Sequence, residues 1–377
     1  MGQPVIPQLN SRFIPVYTSS YSLSNNIQFW KDTDAFYYPN MLMNLMTITP
    51  EHLKKMELPE DMFLLTDSGG FQVISGQCSI DWKESVDIQV SLKASKIFAF
   101  DTPPVKRKTE GLNDFIYMTE KETLGRIDEN IEVAIKQSEY LRDTYPEDRK
   151  RFCYILHGAN LGHWNYNLET IKNKLGGDKY DEYFPGGITY AIKSNDVLTL
   201  TIAAYHANQN FISKGKYVHF LGCGSFNKMI VLVRNKITTF DASSCLQGGM
   251  TNTIINPNDV FNKYQILSTD IKFDKTFCLC PVCMSVDYNK LSVDENSNVG
   301  KYFTLHNLWQ MMKVNCFLDS INLKHYTNIV KENFKINQNI IVCLEFCDFA
   351  DKNGFENAYN KYKHYLKKDE TKQQSLF

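Results

Sequence analysis

The chain has 377 residues, 43% of them hydrophobic and 22% charged, with a formal net charge of −1. That is a globular composition with material for a full core, and it excludes a general basic field that would hold nucleic acid by charge alone. No apolar run approaches the roughly 18 residues needed to span a bilayer, so a membrane protein is not expected.

The N-terminus lacks the basic start and apolar core of a signal peptide. Met1-Gly2 opens like a myristoylation site, but Ile6 stands where Ser or Thr is wanted. Ten cysteines in a chain of this length and kind do not read as a disulfide scaffold. The expected location is the cytoplasm, or a host's cytoplasm for a phage-encoded protein. Length alone allows two or three domains, although α/β barrels of this size often form one.

Eight short apolar runs follow one another: Phe13–Thr18, Met41–Met46, Phe63–Thr66, Ile97–Phe100, Phe152–Leu156, Gly187–Ala191, Val218–Gly222 and Ile237–Phe240. Between them lie helix-like patterns at Asp81–Ser95, Met118–Thr144, Trp164–Leu175, Val197–Gln209 and Asn227–Asn235. Strands alternating with helices predict βαβ units and a parallel sheet. Eight such strands predict an α/β fold, a (β/α)8 TIM barrel.

Polar residues and glycines gather just after these runs. Leu64-Leu65-Thr66 ends on Asp67-Ser68-Gly69-Gly70-Phe71-Gln72-Val73, and Ile97-Phe98-Ala99-Phe100 ends on Asp101. His157-Gly158 follows the fifth run, and Gly186-Gly187 lies beside the sixth. Gly222-Cys223-Gly224 ends the seventh, and Asp241 ends the eighth. In an α/β barrel the C-terminal strand ends carry the active site, so three acids there predict an enzyme. The plainer account makes the glycines turns and the acids caps of the next helix. Lys106-Arg107-Lys108, just past Asp101, is either a local basic groove or a solvated loop.

After Asp241 the alternation becomes irregular. Cys278, Cys280 and Cys283 have the spacing of a metal knuckle, and His306 follows a polar stretch. Three thiolates and an imidazole make a closed tetrahedral zinc site, with no position left for a reacting water. Cys-Pro-Val-Cys also suits a redox pair, but the third cysteine and the histidine favour a structural metal. Helices are expected at Asn307–Phe317 and Asn322–Phe334, with Ile340–Lys352 ambiguous. Cys343 and Cys347 sit one helical turn apart, as core residues do.

These motifs, in this order, resemble the tRNA-guanine transglycosylase superfamily. The resemblance rests on Asp67 through Val73, Phe100-Asp101, Leu221 through Gly224, Phe240-Asp241, and Cys-x-Cys-x2-Cys followed by His306-Asn307-Leu308. It covers roughly residues 10 to 320. It implies a zinc-containing (β/α)8 barrel that exchanges guanine in a nucleic acid for a 7-deazaguanine without cutting the backbone. By resemblance, Asp241 is the nucleophile at C1′, Asp67 the general acid and base, and Asp101 the acceptor for a guanine-like base. Phe71 and Leu221 would cover the base's two faces, though either could be barrel core. Gly186, Gly187 and Gly222 would let backbone approach the base. His157 stands where the common enzymes place a base-contacting glutamine; a buried histidine bonded to a carbonyl is the duller alternative. The expected division is a barrel at 10–260, a zinc-binding subdomain at 261–320 and a helical C-terminal segment at 321–377. A homodimer is the family's usual state.

The chain also departs from the family. Bacterial tRNA enzymes follow the nucleophile with Leu-Pro-Thr-Arg, whose basic residues help read the anticodon loop. Here Ala242 through Met250 contain no arginine. The segment from Ile188 to Lys193 departs from the usual Leu-Ala loop as well. Archaeal enzymes share the small residues after Phe-Asp, but carry extra RNA-binding domains that this length does not hold. The DNA-directed branch, which inserts bases such as preQ0, fits better. DNA is therefore the favoured partner over tRNA. A third reading, a non-catalytic subunit, sits poorly with the presence of all three acids.

Overall fold

The computed structural model describes residues 9–18, 27–30, 37–45, 50–76, 79–107, 115–192, 196–265, 278–285 and 298–366, and every structural statement concerns these. Met1-Gly2, Lys108 and Lys193 lie outside them. Each of the eight apolar runs overlaps a strand: β1 Arg12–Tyr17, β2 Asn40–Met43, β3 Phe63–Thr66, β4 Ile97–Phe98, β5 Phe152–His157, β6 Gly187–Ala191, β7 Val218–Phe220 and β8 Thr239–Ala242. They form one sheet in the order β3-β2-β1-β8-β7-β6-β5-β4. That order is the chain order of a barrel cut open between β3 and β4. The ladders β1–β8, β1–β2, β4–β5, β5–β6 and β6–β7 are parallel. At the cut, Ser95 N–H donates to the Leu64 carbonyl at 2.7 Å, and Leu64 N–H donates to Ser95 Oγ at 3.0 Å. The sheet is thus nearly closed as a barrel, with helices around it, as the alternation predicts.

Contacts group the chain into two units: residues 1–43, 47–63 and 222–348, and residues 44–46, 64–221 and 349–377. The boundaries expected at 260 and 320 both fall inside the first unit. That unit holds β1, β2 and β8, with Phe13, Ile14 and Phe240 fully buried. Its long helix, Asn298–Ser320, grips β1 from the side. Asn315 Oδ1 accepts from Phe13 N–H at 2.7 Å, and its Nδ2 donates to the Ser11 carbonyl at 3.0 Å. The residues after Asp241 form the helix Ser244–Met250. A Cβ on Gly249 would lie 1.9 Å from Thr304 Oγ1, and one on Gly248 would lie 2.4 Å from Asn307 Nδ2. Those glycines let the two helices pack closely.

In the second unit every residue of β5 and β6 is buried, as strands covered on both faces must be. The Tyr190 and Phe220 rings stack at 4.9 Å. Helices Trp82–Ser91, Glu120–Thr144, Leu161–Lys174 and Val197–Asn210 match the expected patterns within a few residues. Thr119 and Glu122 form a full capping box that fixes the start of the second of these. Among the described residues no helix is long and apolar enough to cross a membrane. The ambiguous stretch near Ile340 is the helix Gln338–Asn353, with Cys343 and Cys347 fully buried.

Candidate active site

Asp67 is the first residue past β3. Its Oδ1 accepts from Leu45 N–H at 2.8 Å, and its Oδ2 accepts from Gln72 Nε2 at 3.0 Å. Burial pushes this carboxyl up to about 6; the hydrogen bonds from Leu45 and Gln72 oppose the rise, and the charge of Asp101 adds to it. Gly69 turns the chain with a left-handed φ of 81° and opens the short helix Gly70–Ile74. Gly70 has a different task. A Cβ there would lie 1.5 Å from the Asp101 carbonyl oxygen. Gly70 therefore lets the loop after β3 approach the backbone of Asp101 closely. Phe71 is half-buried, its ring 5.2 Å from that of Phe115.

Asp101 is buried, and both its oxygens are engaged. Oδ1 accepts from the Ser68 hydroxyl. Oδ2 lies 2.6 Å from Nε2 of the buried His157, the last residue of β5. A carboxylate only accepts, so Nε2–H donates. The His157 carbonyl accepts in turn from Asn167 Nδ2 at 3.0 Å, which anchors the strand end. Asp67, Phe71, Asp101 and His157 are thus brought together within one unit. Ser68 and Gln72 join them. Both stand inside the Asp67–Val73 run, where the motif itself was their only signal.

In the other unit, Asp241 is buried in β8, and its Oδ1 accepts from Gly222 N–H at 2.8 Å. Gly222 has a left-handed φ of 65°, is exposed, and has no atom within 4 Å of where a Cβ would stand. Leu221, the last residue of this stretch in the unit that holds Asp67, is half-buried and donates its N–H to the Tyr190 carbonyl at 3.0 Å.

Gly186 and Gly187 are not at this end of their strand. Gly187 starts β6 and pairs in register with Cys153, whereas His157 pairs with Ala191. A Cβ on Gly186 would lie 2.3 Å from the Arg151 carbonyl carbon, and one on Gly187 would lie 2.3 Å from the Tyr217 oxygen. Both glycines serve backbone packing where β6 begins, so the base contact expected of them is withdrawn. A glycine pair signals a close approach without saying which end of the strand makes it.

Cys278, Cys280, Cys283 and His306 form a buried cluster whose ligand atoms all lie within 4.8 Å of one another. His306, on the helix Asn298–Ser320, donates Nε2–H to the Ile255 carbonyl at 2.9 Å. That bond leaves the Nδ1 lone pair for a metal, 3.2 Å from Cys283 Sγ and 3.5 Å from Cys280 Sγ. The next residue, Asn307, bonds Ile255 N–H and the Thr253 carbonyl, both at 2.8 Å. The donor set and the fixed tautomer fit a metal ion.

The family model described as queuine tRNA-ribosyltransferase matches residues 51–335, a stretch that contains the three acids and the whole Cys3His cluster. The chain belongs to the queuine tRNA-ribosyltransferase family. Among proteins of curated function none matches it. Membership gives the chain a guanine transglycosylase activity in general terms, that of a pentosyltransferase acting on nucleic acid and a guanine-type base.

Proposed function

We propose that the chain exchanges guanine in DNA for a 7-deazaguanine of the preQ0 type. The observation that carries this reading is the pair of acids after β3 and β4. Asp67 titrates near 6, and Asp101 is held between Ser68 and His157. A carboxyl titrating near neutrality can protonate a departing purine and deprotonate an incoming one. Asp101 keeps spare lone pairs for the N1–H and exocyclic amine of a guanine-type base. Phe71 and Leu221 are assigned to the base's faces, and His157 to its selection.

Asp241 is assigned as nucleophile. Its carboxylate bonds to C1′ as the C1′–N9 bond breaks, and guanine leaves with the proton from Asp67. The incoming base gives its N9 proton to Asp67, its nitrogen bonds to C1′, and the C1′–Asp241 ester breaks. Two easier steps replace one hard one. The target base must leave the stack or be met in a single strand. Zinc is the metal proposed for the Cys3His cluster, in a structural role. A homodimer in the cytoplasm completes the proposal.

The preference for DNA is supported by the segment after Asp241. It has no arginine, and its Gly248 and Gly249 are committed to packing on the helix that carries His306. One observation favours tRNA instead: the matching family model takes its description from a tRNA enzyme. Incubation with radiolabelled guanine or preQ0 separates the two, with DNA and tRNA as parallel acceptors. Label is expected in DNA; label in tRNA alone would sink the DNA reading. Asp241→Ala is expected to abolish exchange, and retained exchange would remove the nucleophile assignment.

A further inference from the structure

β4 makes ladder bonds over only two residues, yet the chain continues past it to Thr102, where Pro103 and Pro104 end it. On one edge Ala99 N–H still finds the β5 carbonyl of Cys153 at 2.9 Å. On the other edge, side-chain amides stand where a neighbouring strand would be. Gln89 accepts from Phe98 N–H at 2.8 Å and donates to the Phe98 carbonyl at 2.9 Å. Gln137 accepts from Phe100 N–H at 2.8 Å, while its Nε2 holds the Trp82 carbonyl at 2.9 Å. Asn130, two turns earlier on the same helix, accepts from Thr102 N–H at 2.9 Å and donates to the Thr102 carbonyl at 3.0 Å.

Residues 98, 100 and 102 are alternate positions, so their backbone groups share one edge of the extended chain. All three amides are buried. Burying an amide is costly unless it is paired, and so is burying an orphan strand edge; here each satisfies the other. Gln89 Oε1 also accepts from Thr66 Oγ1 of β3 at 3.2 Å, so this one amide lies between the two strands. A backbone ladder would draw β3 and β4 to about 4.8 Å. Here Gln89 alone bridges β3 and β4, while Gln137 and Asn130 hold the chain on from Phe100 to Thr102. Asp101 itself sits between two amide-held residues, Phe100 and Thr102.

We infer that Gln89, Gln137 and Asn130 are positioning residues: a ladder of side-chain amides that fixes Phe98–Thr102 and thereby aims Asp101 at the base. The inference rests on the reading of Asp101 as the base acceptor. Two measurements test it. The first compares Asn130→Ala and Gln137→Ala with Asn235→Ala, which removes a buried amide from the other unit. In each ladder variant the KM for guanine should rise about tenfold, the equivalent of one hydrogen bond lost between Asp101 and the base, with kcat changed far less. Asn235→Ala should lower Tm and leave that KM alone. An unchanged KM in folded Asn130→Ala, or an equal rise in Asn235→Ala, overturns the positioning role. The second measurement is amide hydrogen exchange without substrate. Asn130→Ala should speed exchange at Thr102, and Gln137→Ala at Phe100, while Ala99 stays protected. Unchanged protection at Phe100 and Thr102 overturns the ladder. This arm judges the ladder even if the wild-type chain exchanged no guanine, a result that would sink the proposed function alone.

Discussion

Asp101 and His157 form one buried pair, with the imidazole Nε2 2.6 Å from the carboxylate Oδ2. His157→Ala would take a hydrogen bond from a buried carboxylate, at about 1–3 kcal/mol. Guanine exchange should fall in kcat/KM by roughly ten- to a hundredfold. His157→Gln keeps a donor and should recover part of the loss. Steady-state kinetics on the three proteins checks this; equal kinetics for His157→Ala and wild type would remove the pair from the site's chemistry.

Asp67 makes stability depend on pH in a defined sense. Its carboxyl is raised to about 6 in the folded chain, against 3.8 for the ordinary group. The folded state therefore holds the proton more tightly than the unfolded state. Its contribution to stability is fully present below pH about 4 and is lost as pH rises to about 6. Asp67→Asn removes a penalty of about 1–3 kcal/mol at pH 7. Gln72 Oε1, buried without a partner, can accept the new amide after a flip of the Gln72 amide. The variant should melt higher than wild type at pH 7, melt alike at pH 4, and fail to exchange guanine. A Tm difference that is the same at both pH values would contradict the raised carboxyl.

Gly70→Ala and Gly222→Ala should differ sharply, although each adds one methyl. At Gly70 the methyl meets the Asp101 carbonyl, so the loop after β3 must move away from Asp101. Activity should fall a hundredfold or more, of the order expected when a reacting group is misplaced by about 1 Å. At Gly222 there is open space, and the cost is about 1 kcal/mol for a left-handed alanine. Paired melting curves and exchange assays check both, and a Gly70→Ala protein as active as wild type would contradict the close approach.

The Cys3His cluster should carry one equivalent of zinc, read by elemental analysis of the intact protein. Less than about half an equivalent would count against the site. Cys283→Ser should lower metal content and reduce Tm by about 5 °C or more, because binding energy at such a site is folding energy. The loss should be felt first at Thr253–Ile255, which His306 and Asn307 hold by three hydrogen bonds.

The strands were legible because several apolar runs stop at a turn-forming or charged residue, as at Asp67, Asp101 and Asp241, and burial follows such runs closely. The metal set was legible because thiolate spacing is a local property of the chain. Gly186 and Gly187 were misread because glycine reports close packing without direction, and only the register with Cys153 shows which end of β6 they occupy. Gln89, Asn130 and Gln137 were invisible in the sequence. An amide on an amphipathic helix looks like a surface residue, and nothing local shows that it faces a strand with an empty edge. Gly248 and Gly249 were likewise silent in the sequence, where they stood only as small residues after Asp241, yet they are the contact surface between two helices.

A backbone ladder is the same for every sequence, so substitution adjusts its geometry very little. The seam beside Asp101 is different, because each rung is a side chain whose length and reach are set by one codon. Exchanging Gln for Asn at a rung, or Asn for Gln, would move one acid relative to the other without altering any group that meets the base. The spacing of the two acids is therefore inherited through the helices behind them, and that is where variants with shifted base preference should be sought.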